Sequence, residues 1–501
     1  MTTVDMKDIV SLCKRRGFIF PASDIYGGIN GFWDYGPLGT ELKNNLRDRW
    51  WKDMVLTPPI GPDGTPLQMF GVDTSIIQNP KLWKASGHID GFSDPMLDCR
   101  ETKKRYREDK LIVYKPKDGQ GNAIVFHEDA ESDEIEKRIK KISKGQSVDN
   151  YEKTSLKNID TTDYENLIGP DTKTAGTLTE PREFNLMLHT FLGATGGEEN
   201  KAYLRPETCG SIFTNFKNIV DNSRGKIPFG IAQIGKAFRN EVTPRNFIFR
   251  SREFEQLEMQ FFCDPKDNIK EWFNFWKDYR KNWWLKIGLS DNHLNFHEHT
   301  EDDLAHYAKE GVGAYDIEYQ FPFIAPGFDE LEGIHDRSQF DLSQHEKFSG
   351  KKMQYQNLET NEWYTPYVIE TSAGLTRGVL ALICQAYTVD ENRPSGMYMN
   401  FHPSMAPKKA AILPLTAKDG HPEVAQKLYL EMREHMVVDL DIKQNIGKRY
   451  ARQDEIGTPF CITIDGQTLE DQTVTVRERN TMAQERVHLD NVTEYVKKRL
   501  V

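Results

Sequence analysis

Cysteine is scarce. There are six in 501 residues (Cys13, Cys99, Cys209, Cys263, Cys384 and Cys461), and none lies in a Cys-x-x-Cys pair. This excludes a disulfide scaffold, and no paired thiols are available for a structural zinc. Thiols this scattered predict a reduced, cytoplasmic protein. Long apolar runs are missing as well. No stretch reaches the roughly 18 residues of a membrane span, so no membrane contact is expected. The opening MTTVDMKDIVSLCKRRGF carries no apolar signal segment. Positive charge is not in excess: 65 Lys and Arg stand against 76 Asp and Glu, a net charge of −11. That argues against a uniformly basic coat, although a local patch is enough to dock nucleic acid. Repeats and low-complexity tracts are absent. What is present is ordinary globular composition, 38% hydrophobic and 28% charged, in a chain long enough for about two to four domains.

Residues 36–54 predict a helix. Gly36 and Pro37 open it, and Leu38, Leu42, Leu46, Trp50 and Met54 recur every four residues. Such a stripe can pack on the chain's own core or against a second subunit. Residues 128–165 are highly charged. They predict a short helix with Ile135, Ile139 and Ile142 on one stripe, then a loose linker, together an inserted module. KIPFGIAQIGKAFRNE and FIFRSREFEQLEMQFFC read as two strands of a long hairpin, joined through Thr243, Pro244, Arg245 and Asn246. An aromatic-rich helix follows at 265–290. PYVIETSAGLTRGVLALICQAY reads as a strand, a glycine turn and a buried helix. A boundary falls near 403–408. Beyond it, AAILPL, HPEVAQKLYLEMRE, TPFCITID and TVTVRER read as strand, helix, strand and strand of a compact mixed-sheet domain. From Lys408 to Val501 there are 15 basic and 15 acidic residues, so the tail is neutral and better suited than the body to a polyanion.

Two apparent motifs are weak. Gly230–Ala237 nearly matches a P-loop, but Ala237 replaces the required hydroxyl and the intervening residues read as strand. His297 and His299 flank Glu298 without making the spacing of a zinc helix. The informative cluster is arginine and glutamate on strand-like segments: Arg239 and Glu241 at one strand end, then Arg250, Arg252, Phe254, Glu255 and Glu258, with Arg377 opening an apolar helix. Charges on core strands are costly unless paired or ligand-bound. Guanidinium groups suit phosphates, Phe can stack on a base, and carboxylates can hold an ammonium group or Mg²⁺. The set describes a site for a nucleotide polyphosphate and a small amine.

Over nearly its whole length the sequence resembles the class II aminoacyl-tRNA synthetases, specifically the homodimeric glycyl-tRNA synthetases. The resemblance rests on RRGFIFPASDIYGGINGFWDYGPLGTELKNNL, ASGHIDGFSDPMLDC, LTEPREFNLM, YLRPET, FRNE, FRSREFEQLEM, ELEGIHDR and VIETSAGLTRGVLAL, in that order. It implies an α+β fold: an antiparallel catalytic sheet flanked by helices in residues 1–405, interrupted by an insertion at about 115–175, and an α/β anticodon-binding domain in 406–501. It implies ATP, glycine, tRNA(Gly) and Mg²⁺ as ligands, and a homodimer in which the 36–54 helix takes part. Two departures stand out. Cys99 is alone where the family often has a zinc-type pair, so no structural zinc is expected. RPET is followed by Cys209 and Gly210 in place of Ala and Gln. A non-catalytic accessory relative is the alternative, disfavoured because Arg239 and Arg377 both stand. A small-metabolite ligase or kinase is a second rival, one with no need of the C-terminal module.

The resemblance also implies roles. Arg239 holds the α-phosphate and the amino acid's carboxylate, Arg377 the γ-phosphate, and Phe254 stacks on adenine. Glu241, Arg250 and Arg252 complete the ATP contacts, and Glu330 acts through Mg²⁺ with Leu331 beside it. Asn240, Phe249, Ser251, Glu253, Gly374, Leu375 and Thr376 fall on the same nucleotide positions. Glycine is assigned to Glu207, Glu258, Glu370 and Ser372. Arg107, Glu255, Gln256, Leu257, Thr371 and Ala373 are at neighbouring substrate positions.

Overall fold

The computed structural model describes residues 4–500 apart from 129, 195, 301–303, 305–307 and 309–310. The chain forms two compact units, Met1–Ser86 with Thr190–Val501, and Gly87–His189.

In the larger unit, helices α1 (Met6–Arg16) and α2 (Pro37–Trp51) precede strand β1 (Gln68–Gly71). Helix α3 (Cys209–Ser223) leads to β2 (Phe229–Phe238) and β3 (Glu253–Cys263), and helix α4 (Ile269–Lys286) to β4 (Leu294–Glu298), β5 (Ala314–Tyr319) and β6 (Asp329–Ser338). Strand β7 (Tyr367–Gly374) runs directly into helix α5 (Leu375–Ala386). The seven strands make one sheet in the order β4-β5-β6-β7-β3-β2-β1, antiparallel except at the β2–β1 edge. Side chains alternate across a strand. Leu257, Met259, Phe261, Ile369 and Ala373 therefore join one core with Trp50, Trp276, Trp284 and Val379 from the helices. The other face turns Glu258, Gln260, Glu370 and Ser372 toward the site.

Of the two readings of the 36–54 stripe, packing on its own core holds: Leu42, Leu46, Trp50 and Met54 are fully buried within this chain. Each such side chain contributes about 1.5–3 kcal/mol. The α-helix stops at Trp51, and a π-helical turn, Lys52–Leu56, carries Met54. Gly39 lets the helix touch the chain before it, since a Cβ there would stand 1.9 Å from the Phe18 carbonyl oxygen.

The hairpin is present with a correction. Phe229 pairs with Phe262 and Phe238 with Glu253, so β3 begins at Glu253, and Arg250 and Arg252 lie in the loop before it. FIFR alternates like a strand, but Asn246 and Phe247 take left-handed φ of 58° and 60°, which ends extended pairing. The P-loop look-alike is β2 itself.

The 128–165 reading is half right. A helix spans Ser132–Ile142, with Ile139 buried against Ile124, Phe126 and Tyr151. The loose linker is corrected: Tyr151–Ser155 pairs with Leu111–Pro116, and Leu167–Ile168 with Ala123–His127, in a four-stranded sheet. Its anchors Tyr151, Leu156, Tyr164 and Leu167 are buried but widely spaced, and the charged residues between them hide the pattern. The proposed 115–175 insertion lies inside this Gly87–His189 unit.

The C-terminal segment builds β8 (Ala410–Pro414), helix α6 (His421–Met432), β9 (Val438–Leu440), helix α7 (Ile446–Ile456), β10 (Phe460–Ile464), β11 (Thr473–Glu478), β12 (Gln484–His488) and helix α8 (Leu489–Lys497). The sheet order is β9-β8-β10-β11-β12, with β9, β8 and β10 parallel and the last two pairings antiparallel. It has its own apolar core around Ile412, Leu428, Ile462 and Val492. Asp454 of α7 ties it to the preceding chain: its carboxylate meets Arg393 at 2.8 Å and both terminal nitrogens of Arg477 at 2.9 Å, all three side chains buried.

Candidate active site

The strand ends of β3 and β7 and the 239–252 loop enclose a pocket lined by Arg239, Glu241, Phe249, Arg250, Phe254, Glu330 and Arg377, among others. Arg239 follows the last residue of β2. Its Nε donates to the Pro206 carbonyl at 3.1 Å, and its guanidinium stands 5.3 Å from the Phe254 ring centre. Arg377 sits on the first turn of α5, right after Gly374 ends β7. Its guanidinium lies 4.4 Å over the Phe249 ring and 2.8 Å from the Glu330 carboxylate. That guanidinium holds Glu330 below the usual carboxylate range. Arg250 pairs with Glu241 at 2.8 Å, and Arg252 donates to the Glu241 carbonyl at 3.0 Å. The walls thus offer several guanidinium groups, the half-buried Phe254 ring and three carboxylates, Glu241, Glu255 and Glu330.

One step along β7 the chemistry changes sign. Glu258 and Glu370, both buried, lie on adjacent strands, and Gln260 Nε2 donates to both, at 2.8 and 2.7 Å. Ser372 Oγ donates to Glu258 at 2.9 Å and Thr208 Oγ1 at 3.1 Å. Arg337 donates to Glu370 at 3.0 Å and His335 Nδ1 lies 3.2 Å from its other oxygen. Their acidities diverge. Burial, with the charges of Glu370 and Glu207 behind it, pushes Glu258 well above the carboxylate range. Burial also opposes charge on Glu370, but Arg337 and His335 outweigh it and hold the carboxyl at about 2. Cys209, first residue of α3, donates its thiol proton to Glu207 Oε1 at 2.8 Å, and burial raises that thiol well above its ordinary value. The result is a water-poor carboxylate cluster, the environment that suits an ammonium ion, beside an arginine-lined pocket.

The expected residues sort themselves accordingly. Arg239, Glu241, Phe249, Arg250, Ser251, Phe254, Glu255, Gln256, Glu330, Ser372, Gly374, Thr376 and Arg377 share the pocket wall. Glu253 and Glu255 are engaged by Lys236 and Lys43. Asn240 lies in the loop after β2. Leu257, Leu331, Thr371, Ala373 and Leu375 are buried, with no exposed surface, and Leu257, Leu331, Ala373 and Leu375 pack in the apolar core, so these five support the site from behind rather than line it. Arg107 belongs to the Gly87–His189 unit, where it pairs with Asp94 at 3.1 Å and Asp109 at 2.8 Å. Gln260, Thr208, His335 and Arg337 were not singled out in the sequence. The one available signal was the polar alternation Glu-Gln-Leu-Glu-Met-Gln along β3.

Comparison with known proteins places this arrangement. The profile described as "tRNA synthetase class II core domain (G, H, P, S and T)" matches residues 194–387, and "Anticodon binding domain" matches 409–499. The fold resembles a crystal structure of prolyl-tRNA synthetase from Cryptosporidium parvum complexed with halofuginone and AMPPNP. The TM-score is 0.59 at 11% identity, over 98% of this chain and 74% of that one, a likeness of fold alone. Sheet, site and profile together define a class II aminoacyl-tRNA synthetase. Curated relatives narrow this. The chain is 48% identical to the glycine–tRNA ligase of Rhodopirellula baltica over 99% of both chains. It is 45% identical to that of Borreliella burgdorferi over 99% of this chain and 97% of the relative, and 44% identical to that of Staphylococcus aureus over 98% of each. The chain belongs to the glycine–tRNA ligase family.

Proposed function

We infer that this chain activates glycine with ATP and transfers it to the 3′ end of tRNA(Gly). The observation that carries the reading is the abutment of the Glu258–Glu370 cluster on the arginine-lined pocket, in a chain whose likeness to glycine–tRNA ligases runs from end to end. A glycine oxygen attacks the α-phosphorus of ATP, a P–O bond forms, and pyrophosphate leaves. The terminal ribose hydroxyl then attacks the activated carbonyl, and AMP leaves.

Neither step needs a covalent enzyme intermediate. The residues position the reactants and neutralise charge as it develops. Arg239, whose Nε bonds the Pro206 carbonyl beside Glu207, holds both the α-phosphate and the glycine carboxylate. Arg377 holds the γ-phosphate, Phe254 stacks on the base, and Arg250 and Arg252 fix the rest of the nucleotide. Glu258, Glu370 and Glu207 hold the ammonium, with Ser372 as a neutral partner. Glu330 and Glu241 are the carboxylates on the phosphate wall that would hold Mg²⁺ arriving with ATP, and the ion would supply further charge neutralisation there. The C-terminal sheet binds the anticodon, and the enzyme works in the cytoplasm as a homodimer. No helix among the described residues is long and apolar enough to cross a membrane.

ATP–pyrophosphate exchange with each of the twenty amino acids tests the reading. Exchange with glycine alone is expected. Exchange with serine or proline and none with glycine would sink it.

A further inference from the structure

We propose that His299, Asp316 and His335 form a binding site for one divalent transition-metal ion of the zinc class, separate from the magnesium that accompanies ATP. The sheet register assembles the three. Asp316 on β5 is opposite His297 on β4 and Gly333 on β6. Its diagonal neighbours two residues along, on the same face, are His299 and His335. His299 is held there because its backbone N–H extends the ladder to the Ala314 carbonyl at 3.0 Å.

One donor atom from each residue lies within 4.8 Å of the other two. His299 Nε2 is 3.0 Å from one Asp316 oxygen, and His335 Nε2 is 3.6 Å from the other. A tetrahedral ion with bonds of about 2.0–2.1 Å needs donors about 3.3–3.4 Å apart, a spacing inside the 4.8 Å that spans one donor atom from each of the three residues. His335 is oriented as a ligand: its Nδ1 faces the Glu370 carboxylate at 3.2 Å, which directs Nε2 to the cluster. This carboxylate–histidine arrangement is the usual outer support of a metal-bound imidazole. Gly333 keeps the space open, since a Cβ there would meet His335 Cε1 and Nε2 at 3.0 Å and Asp316 Oδ1 at 3.5 Å. The side chains of His299, Asp316 and His335 are 24%, 12% and 19% exposed, so an ion can reach them and a water can complete the shell. Two imidazoles and one carboxylate favour zinc, cobalt or nickel over magnesium.

The test uses untagged full-length protein stripped with a chelator and titrated with Co²⁺ in excess Mg²⁺. Expected are visible d–d bands of a low-coordinate site that saturate at one equivalent per chain and are displaced by Zn²⁺. In His299→Ala, checked by circular dichroism, the affinity should fall more than about tenfold. Asp316→Asn should weaken binding likewise, while Cys209→Ala should leave it unchanged. No saturable band in the parent protein would overturn the proposal. So would a band that survives in His299→Ala and disappears in Cys209→Ala, because binding would then belong to the Cys209–Glu258–Glu370 cluster.

Discussion

Glu370 carries its charge because Arg337 and His335 hold it, and Glu258, two residues along the facing strand, is pushed toward the neutral acid. On the proposed reading, an arriving ammonium meets one fixed anion and one carboxyl able to release a proton. Glu370→Gln keeps the shape and removes the charge. It should raise the KM for glycine by about 10–150-fold and leave the KM for ATP nearly unchanged. Steady-state kinetics with each substrate varied in turn decides this: a weakened ATP affinity at constant glycine KM would move Glu370 to the nucleotide. Arg239 is proposed to hold the α-phosphate and the glycine carboxylate. Arg239→Ala should slow single-turnover adenylate formation by about 10²–10³ with the fold retained, and a loss below tenfold would remove Arg239 from that role. At this scale the sequence was informative where alternation on one strand exposed Glu258. It was silent on His335 and Arg337, because their roles arise from pairing with Glu370, more than thirty residues away.

At the scale of elements, strands and helices were legible wherever periodicity ran unbroken, as in α2, β2, α5 and β8. They were missed where it was short or interrupted, as in β9, or where left-handed residues ended a run of strand-like alternation, as at Asn246 and Phe247. Strand β8 also supplies a pH prediction. Lys409, just before it, is nine-tenths buried, and its ammonium donates to the carbonyls of Ser404 and Ala406 at 2.6 and 2.8 Å. Burial lowers its pKa from 10.5 to about 7. Between those values the unfolded chain binds a proton that the folded chain does not, so this group makes stability rise with pH from about 7 toward 10.5. Lys409→Met should flatten that rise. Urea midpoints of parent and variant from pH 7 to 10 measure the difference, and parallel curves would rule the effect out.

For the whole molecule, the C-terminal sheet has its own core, yet it shares a buried charge network with the chain before it. Asp454→Ala leaves Arg393 and Arg477 buried without that carboxylate, a loss of about 3–5 kcal/mol. The expected outcome is earlier urea unfolding, with glycine-dependent pyrophosphate exchange intact at low denaturant. An unshifted midpoint would show that the network carries little stability. The same network makes removal of 406–501 a severe test of function, since the cut strips Arg393 of its buried partner along with the anticodon module. Sedimentation equilibrium tests the dimer: a mass near twice 57.9 kDa is expected, and a monomer at working concentration would contradict it.

Most charged residues of the pocket and its neighbourhood come as couples: Arg377 with Glu330, Arg250 with Glu241, Lys43 with Glu255, Lys236 with Glu253. Replacing Lys43 strands the largely buried Glu255, and replacing Arg250 the largely buried Glu241. A lineage drifting toward another nucleotide or amine therefore has few neutral single steps, and its accepted changes should arrive in matched pairs. Inheritance of this site is, on that ground, closer to inheritance of a block than of independent letters.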